Sequence, residues 1–155
     1  MKKKVQNELT LTFPSLSQNE GMARSFAGVF VSQLNPTLDE LADVKCAVSE
    51  AVTNCIVHGY KGSVGDIHMT LSIVQDRTVR IEIRDRGVGI ADITAAMEPL
   101  FTTDAENERS GMGFPIMDSF MDTLQVKSAP GKGCKVVMTK KLSTPCRVRD
   151  YTKTS

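Results

Sequence analysis

Glu50 and Asn54 are four residues apart, the spacing that stacks two side chains on one face of a helix. A carboxylate there could take the proton from an attacking hydroxyl. A carboxamide could offer a neutral oxygen to Mg²⁺, which prefers oxygen ligands and keeps several waters. His58 follows one turn on. By itself the pattern also describes two solvated polar residues.

Asp85-Arg86-Gly87-Val88-Gly89 is a second group. Val79, Ile81 and Ile83 alternate with charged residues, and a period of two puts Asp85 in their inward phase. A carboxylate facing a core needs hydrogen-bond donors, and the exocyclic amine of adenine is one. Gly87 and Gly89 allow a tight turn and the approach of a flat ring. The competing reading is a strand-ending turn whose Asp caps a helix. In a third group, Ser110-Gly111-Met112-Gly113-Phe114, two glycines stand at the start of a helical pattern. Free N–H groups at a helix start bind phosphate. No G-K-[ST] follows, so this is not a Walker A loop. Each group is a weak signal, but together they occupy a helix, a strand end and a helix start.

The intervening sequence supplies those elements. Leu9, Leu11 and Phe13 alternate as a strand that Pro14 ends. Ser17 and Glu20 have capping-box spacing before a helix to about Leu34, with Met22, Phe26, Val29 and Phe30 as its apolar residues. A second helix from about Thr37 to Gly59 has the stripe Leu41, Val44, Val48, Ala51 and Cys55. Glu50 and Asn54 lie roughly 90–130° round from that stripe. Ile67–Ile73 and Val79–Ile83 form a hairpin, and residues 91–97 form a short helix. Residues 98–110 are polar and weakly periodic. A helix over Met112–Met121 and strands around Leu124–Val126 and Val136–Met138 follow. The predicted fold is α+β: a two-layer sandwich, helices on one face of a mixed, mainly antiparallel sheet. One domain over 1–142 is expected, with a polar tail over 143–155.

The 155 residues are 41% hydrophobic and 24% charged, with a net charge of +1. That balance argues against a nucleic-acid-coating protein. The four cysteines form no C-x-x-C pair, so they read as free thiols in a reducing compartment. No signal-peptide pattern or apolar span is present. A cytoplasmic protein with no direct nucleic-acid or membrane partner is expected.

SEAVTNCIVHGY resembles the N box of the GHKL ATPase/kinase superfamily, and DRGVGI and RSGMGF resemble its two glycine boxes. The resemblance covers roughly residues 5–141 and implies the GHKL (Bergerat) ATP-binding fold. EAVTN, IVHGY, PLFTT and ERSGMGF are similar to the anti-sigma-F family of spore-forming bacteria. That likeness implies a serine kinase that sequesters a sporulation RNA polymerase sigma factor and phosphorylates a serine of an anti-anti-sigma factor. It also implies ATP or ADP with Mg²⁺ as cofactors, and a homodimer. Glu50 would be the general base, Asn54 the Mg²⁺ ligand and Asp85 the reader of the adenine amine. Gly87 and Gly89 would shape the adenine pocket. Residues 98–110 would be an ATP lid carrying Thr102 and Thr103, and Ser110, Gly111, Met112 and Gly113 would hold phosphates. Arg109 would stabilise γ-phosphate charge. Arg24, among small and apolar residues of the first helix, reads as a partner contact. Cys134 departs from the Thr or Ser common in the family, and a thiol is a poor donor.

Three alternatives share these motifs. One is a nucleotide-dependent sigma-binding module with little catalysis. Another is a stress-response anti-sigma kinase acting on a different sigma factor. The third, a histidine kinase catalytic domain, lacks a phosphoacceptor helix pair in this sequence.

Overall fold

The computed structural model describes residues 4–99 and 113–145. In chain order these form β1 (Val5–Pro14), α1 (Ser17–Ser32), α2 (Leu38–Asn54), a π-helical turn (Cys55–Gly59), β2 (Asp66–Val74), β3 (Thr78–Asp85), α3 (Ile93–Ala96), α4 (Gly113–Phe120), β4 (Thr123–Ser128) and β5 (Cys134–Lys141). The strands form one sheet in the order β1-β2-β3-β5-β4, and all four pairings are antiparallel. Helices cover one face, giving the expected α+β two-layer sandwich.

Alternation makes the sheet. Ile67, Met69, Leu71 and Ile73 of β2, Val79, Ile81 and Ile83 of β3, and Val136 and Met138 of β5 are all buried. They meet Val44, Ala47, Val48, Ala51 and Val52 of α2. The open face carries polar residues, including Glu82 bonded to Arg80 and Lys135 at 2.9 Å each. β1 runs further than Leu9–Phe13 because its polar start continues the ladder to β2, with a register shift between Val5 and Asn7.

The capping box expected at Ser17 does not form, and the one that forms lies on the next helix. Thr37 and Glu40 form a reciprocal box that starts α2. Ser17 is instead the first helical residue of α1, and Leu16 caps it without a side-chain bond. Glu20 has been drawn away, accepting a hydrogen bond from Ser49 of α2 and pairing with Arg24 at 3.7 Å.

The packing face of α1 is built largely from small residues. Ala23, Ala27, Gly28, Phe30 and Val31 are buried, whereas Met22, Phe26 and Val29 are 56%, 44% and 72% exposed. Small residues let α1 lie close to α2: a Cβ at Gly28 would be 3.2 Å from the Lys45 side chain. An apolar stripe therefore faces outward at i, i+4 and i+7.

Among the described residues no helix is long and apolar enough to cross a membrane. Cys46, Cys55 and Cys134 are free thiols, as expected.

Candidate nucleotide site

β3 delivers Asp85 to the floor of a cavity of about 670 Å³. The residue is 3% exposed, in keeping with its inward strand phase. The donors around it are neutral. Gly87 N–H reaches Oδ1 at 2.8 Å, the Cys55 thiol donates from the π turn, and Cys134 N–H donates from β5. Burial raises the Asp85 pKa, and these three donors oppose it without cancelling it.

The loop after Asp85 is clamped on both sides. On one side the Gly59 carbonyl accepts Val88 N–H at 2.9 Å. Gly87 is needed there, because a Cβ would sit 2.1 Å from that carbonyl oxygen. On the other side Gly131 N–H reaches the Val88 carbonyl at 2.7 Å and Gly133 N–H the Gly87 carbonyl at 3.1 Å. Gly89 takes φ +74°, a left-handed conformation. Glycine thus serves here for close backbone approach as well as for turning.

α2 contributes the second group. Glu50 and Asn54 line the cavity, and both meet the first residue of α4. A Cβ on Gly113 would lie 3.1 Å from Asn54 Oδ1 and 3.4 Å from Glu50 Oε2. A carboxylate and a carboxamide therefore converge on a helix start, where backbone N–H groups favour negative charge. Ile83, Ala51, Ala96, Phe114 and Val136 give the cavity apolar walls suited to a flat ring. The sandwich thus joins Glu50, Asn54, Asp85, Gly89 and Gly113 around one space.

The cavity continues outward to Glu20, Ser49 and Arg24. Arg24 is half-exposed at that mouth, one helix over from Glu50. Arg109, Thr102, Thr103, Ser110, Gly111 and Met112 lie outside the described residues.

Sequence reasoning singled out Cys134 but missed the role of Cys55. Cys55 belongs to the apolar stripe of α2, which conceals that it also faces Asp85. Burial and the Asp85 charge push its thiol up. The same causes push Cys134 up to about 12. Both remain protonated, so Cys134 lines the cavity beside Asp85 as a neutral thiol.

Asp85 has a measurable consequence. Its pKa is raised in the folded chain, so between the ordinary carboxyl range and that raised value the native state holds the extra proton. Stability contributed at this position then falls as pH rises through that window. Urea unfolding of nucleotide-free protein and of Asp85→Asn from pH 4 to 7 should show the wild-type stability declining relative to the variant as pH rises. A pH-independent difference would contradict the raised pKa.

Comparison with known proteins agrees with this geometry. Residues 13–140 match the family described as Histidine kinase-like ATPase domain. The chain is 53% identical over 134 residues to an Anti-sigma F factor of Thermoanaerobacter sp. (strain X514), covering 86% of this chain and 93% of the relative. It is 51% identical over 139 residues to the Anti-sigma F factor of Oceanobacillus iheyensis, covering 90% and 95%. Among solved structures it resembles the RsbU and RsbW domains of Rv1364c from Mycobacterium tuberculosis, with a TM-score of 0.66 at 20% identity, covering 94% of this chain and 35% of that one. Full-length ShkA in complex with AMPPNP matches at a TM-score of 0.55 and 19% identity, covering 83% and 31%. Both structural likenesses concern the fold. A cavity that gathers Glu50, Asn54, Asp85 and Gly113, in a chain this similar to those relatives, places it in the anti-sigma F factor family of histidine kinase-like ATPases.

Proposed function

We propose that the chain is an ATP-dependent protein-serine kinase and anti-sigma factor of the cytoplasm. It sequesters a sporulation RNA polymerase sigma factor and phosphorylates a serine of an anti-anti-sigma factor. The observation that carries this reading is the convergence of Glu50 and Asn54 on Gly113, in the cavity that ends at Asp85. Proton acceptor, metal ligand, phosphate cradle and base reader then lie in sequence along one bound nucleotide.

Asp85 accepts from the adenine amine, and the apolar walls take the ring. Gly111, Met112 and Gly113, with Ser110, Thr102 and Thr103, hold phosphates. Asn54 suits Mg²⁺, which takes oxygen ligands from one side chain, the phosphates and water. No group of three or more His, Cys, Asp or Glu side chains among the described residues forms a separate metal cage. When bound, Mg²⁺ would neutralise phosphate charge. Glu50 removes the proton from the partner's serine hydroxyl, whose oxygen attacks the γ-phosphorus as the bond to ADP breaks. Arg109 stabilises the equatorial oxygens, since such transfers depend on positioning and charge.

The partners are proteins. Arg24, at the mouth of the cavity beside Glu20, is proposed as a contact for the sigma factor and the anti-anti-sigma factor. The exposed Met22-Phe26-Val29 stripe supports a homodimer through α1.

Transfer of labelled phosphate from ATP to a purified anti-anti-sigma protein tests the chemistry. Glu50→Gln should lower transfer by about a hundredfold or more and leave ATP affinity nearly unchanged. Arg109→Ala should lower turnover more than affinity. Sigma binding without any transfer by the unaltered chain would instead identify a nucleotide-dependent binding module. Arg24→Glu should weaken capture of both partners, and intact capture of both would remove Arg24 from the surface. Sedimentation should give the mass of two chains, and a single-chain mass at micromolar concentration would refute the dimer.

A further inference from the structure

The α2 helix does not run straight into its C-terminal loop. Its last turn widens, with Tyr60 N–H bonded to the Cys55 carbonyl at 2.9 Å, five residues back. Such π turns occur mostly as local insertions and are frequent at functional sites. This one sets two groups against the adenine loop. The first is the Gly59 carbonyl, already described against Val88 and Gly87.

The second is the Tyr60 side chain. Its hydroxyl accepts Arg86 N–H at 2.9 Å and donates to the Asp66 carbonyl at the start of β2. The ring lies flat on Gly65, where a Cβ would sit 2.2 Å from a ring carbon. Gly65 is itself held by reciprocal bonds to Ser15: Ser15 N–H to the Gly65 carbonyl at 2.8 Å, and Gly65 N–H to Ser15 Oγ at 3.0 Å. The phenol is therefore wedged between two fixed strands. Its single oxygen bridges β2 to the peptide between Asp85 and Arg86. Burial raises the Tyr60 pKa, opposed by the Arg86 N–H, and the Asp85 charge raises it further. The hydroxyl keeps its proton at neutral pH and can serve both partners.

The donors of the loop show what Tyr60 adds. Gly87 N–H is satisfied by Asp85 itself, Val88 N–H by the Gly59 backbone, and Ile90 N–H by Ser128 Oγ at 2.8 Å. Arg86 N–H depends on Tyr60. It belongs to the peptide that follows the carboxylate directly, so its position sets where Asp85 points. Among the described residues no cation pairs with Asp85, whose donors are a thiol and two backbone N–H groups.

The geometry points to Tyr60 as a positioning residue for base recognition, its hydroxyl fixing Asp85 where an adenine amine is accepted and a guanine carbonyl is refused. The inference rests on the nucleotide reading above and extends it to specificity. Tyr60 is not among the described residues that line the cavity, so it acts on affinity and discrimination and leaves the transfer step alone.

Fluorescent ATP and GTP analogues, titrated against the full chain and Tyr60→Phe, read this directly. Phenylalanine keeps the ring on Gly65 and removes one oxygen. The expected result is ATP binding weakened about tenfold, since a donor loses its partner. GTP binding should be nearly unchanged, the ATP-over-GTP ratio should fall by the same factor, and kcat at saturating ATP should be unaltered. Amide exchange at Arg86 should quicken in the nucleotide-free variant. Gly65→Ala, whose methyl would displace the ring with its hydroxyl retained, should shift the ratio in the same direction. An unchanged ratio in Tyr60→Phe, or equal weakening of both analogues in step with a lowered melting temperature, would overturn the inference and leave the nucleotide reading standing. Failure of the unaltered chain to prefer ATP would overturn both.

Discussion

A carboxylate buried at the end of β3, with no cation beside it among the described residues, imposes the main constraint on this fold. Taking such a group out of water is costly unless donors surround it. The chain supplies them from three directions: the loop that follows, the turn after α2 and the start of β5. Those donors stay in place only while the π turn, the loop after Asp85 and the β4–β5 turn remain locked together. That explains the density of backbone contacts there, with Gly87 against Gly59 and Gly133 against Asp85. The same lock leaves a shaped cavity above the carboxylate, between the helical layer and the sheet. In a structure built for stability alone, an apolar residue would serve better at this position. The retained charge is a stability cost kept at a functional site.

The rest of the architecture supports that arrangement. The buried stripe of α2 fixes the helix on the sheet, and this places Glu50 and Asn54 above the cavity. α4 closes it from the other side, and Gly113 lets the two helices approach within contact distance of the polar pair. At its far end, Lys140 donates to the Phe120 carbonyl at 2.8 Å and pairs with Asp43 at 3.4 Å. α4 is thereby tied to β5 and α2, independently of what precedes it in the chain.

Much of this was legible in the sequence, for definite reasons. Period-two alternation in β2 and β3 revealed both the hairpin and the inward phase of Asp85. Helical spacing gave α2 two faces, one for packing and one for chemistry. Other features left no comparable mark. Ser17/Glu20 and Thr37/Glu40 have the same capping spacing, yet only the second pair forms a box, because Ser49 and Arg24 compete for Glu20. On α1 the large apolar residues Met22, Phe26 and Val29 stay exposed, whereas the small residues Ala23, Ala27 and Gly28 pack. No local pattern announces a π turn, so the contacts of Gly59, Cys55 and Tyr60 emerge only when the strands are assembled. Gly87 was read as allowing a tight turn and the approach of a flat ring, whereas in the fold its lack of a side chain admits the Gly59 carbonyl.

The central claim is that Glu50–Asn54, Asp85–Gly89 and the start of α4 are walls of one ATP site. Hydrogen–deuterium exchange of the whole chain with and without ATP and Mg²⁺ tests it most directly. Nucleotide should slow exchange in the loop after Asp85, the turn after α2 and the first turn of α4, with the open face of the sheet unchanged. Protection confined to the open sheet face or to α1, with the loop after Asp85 exchanging as before, would contradict the account.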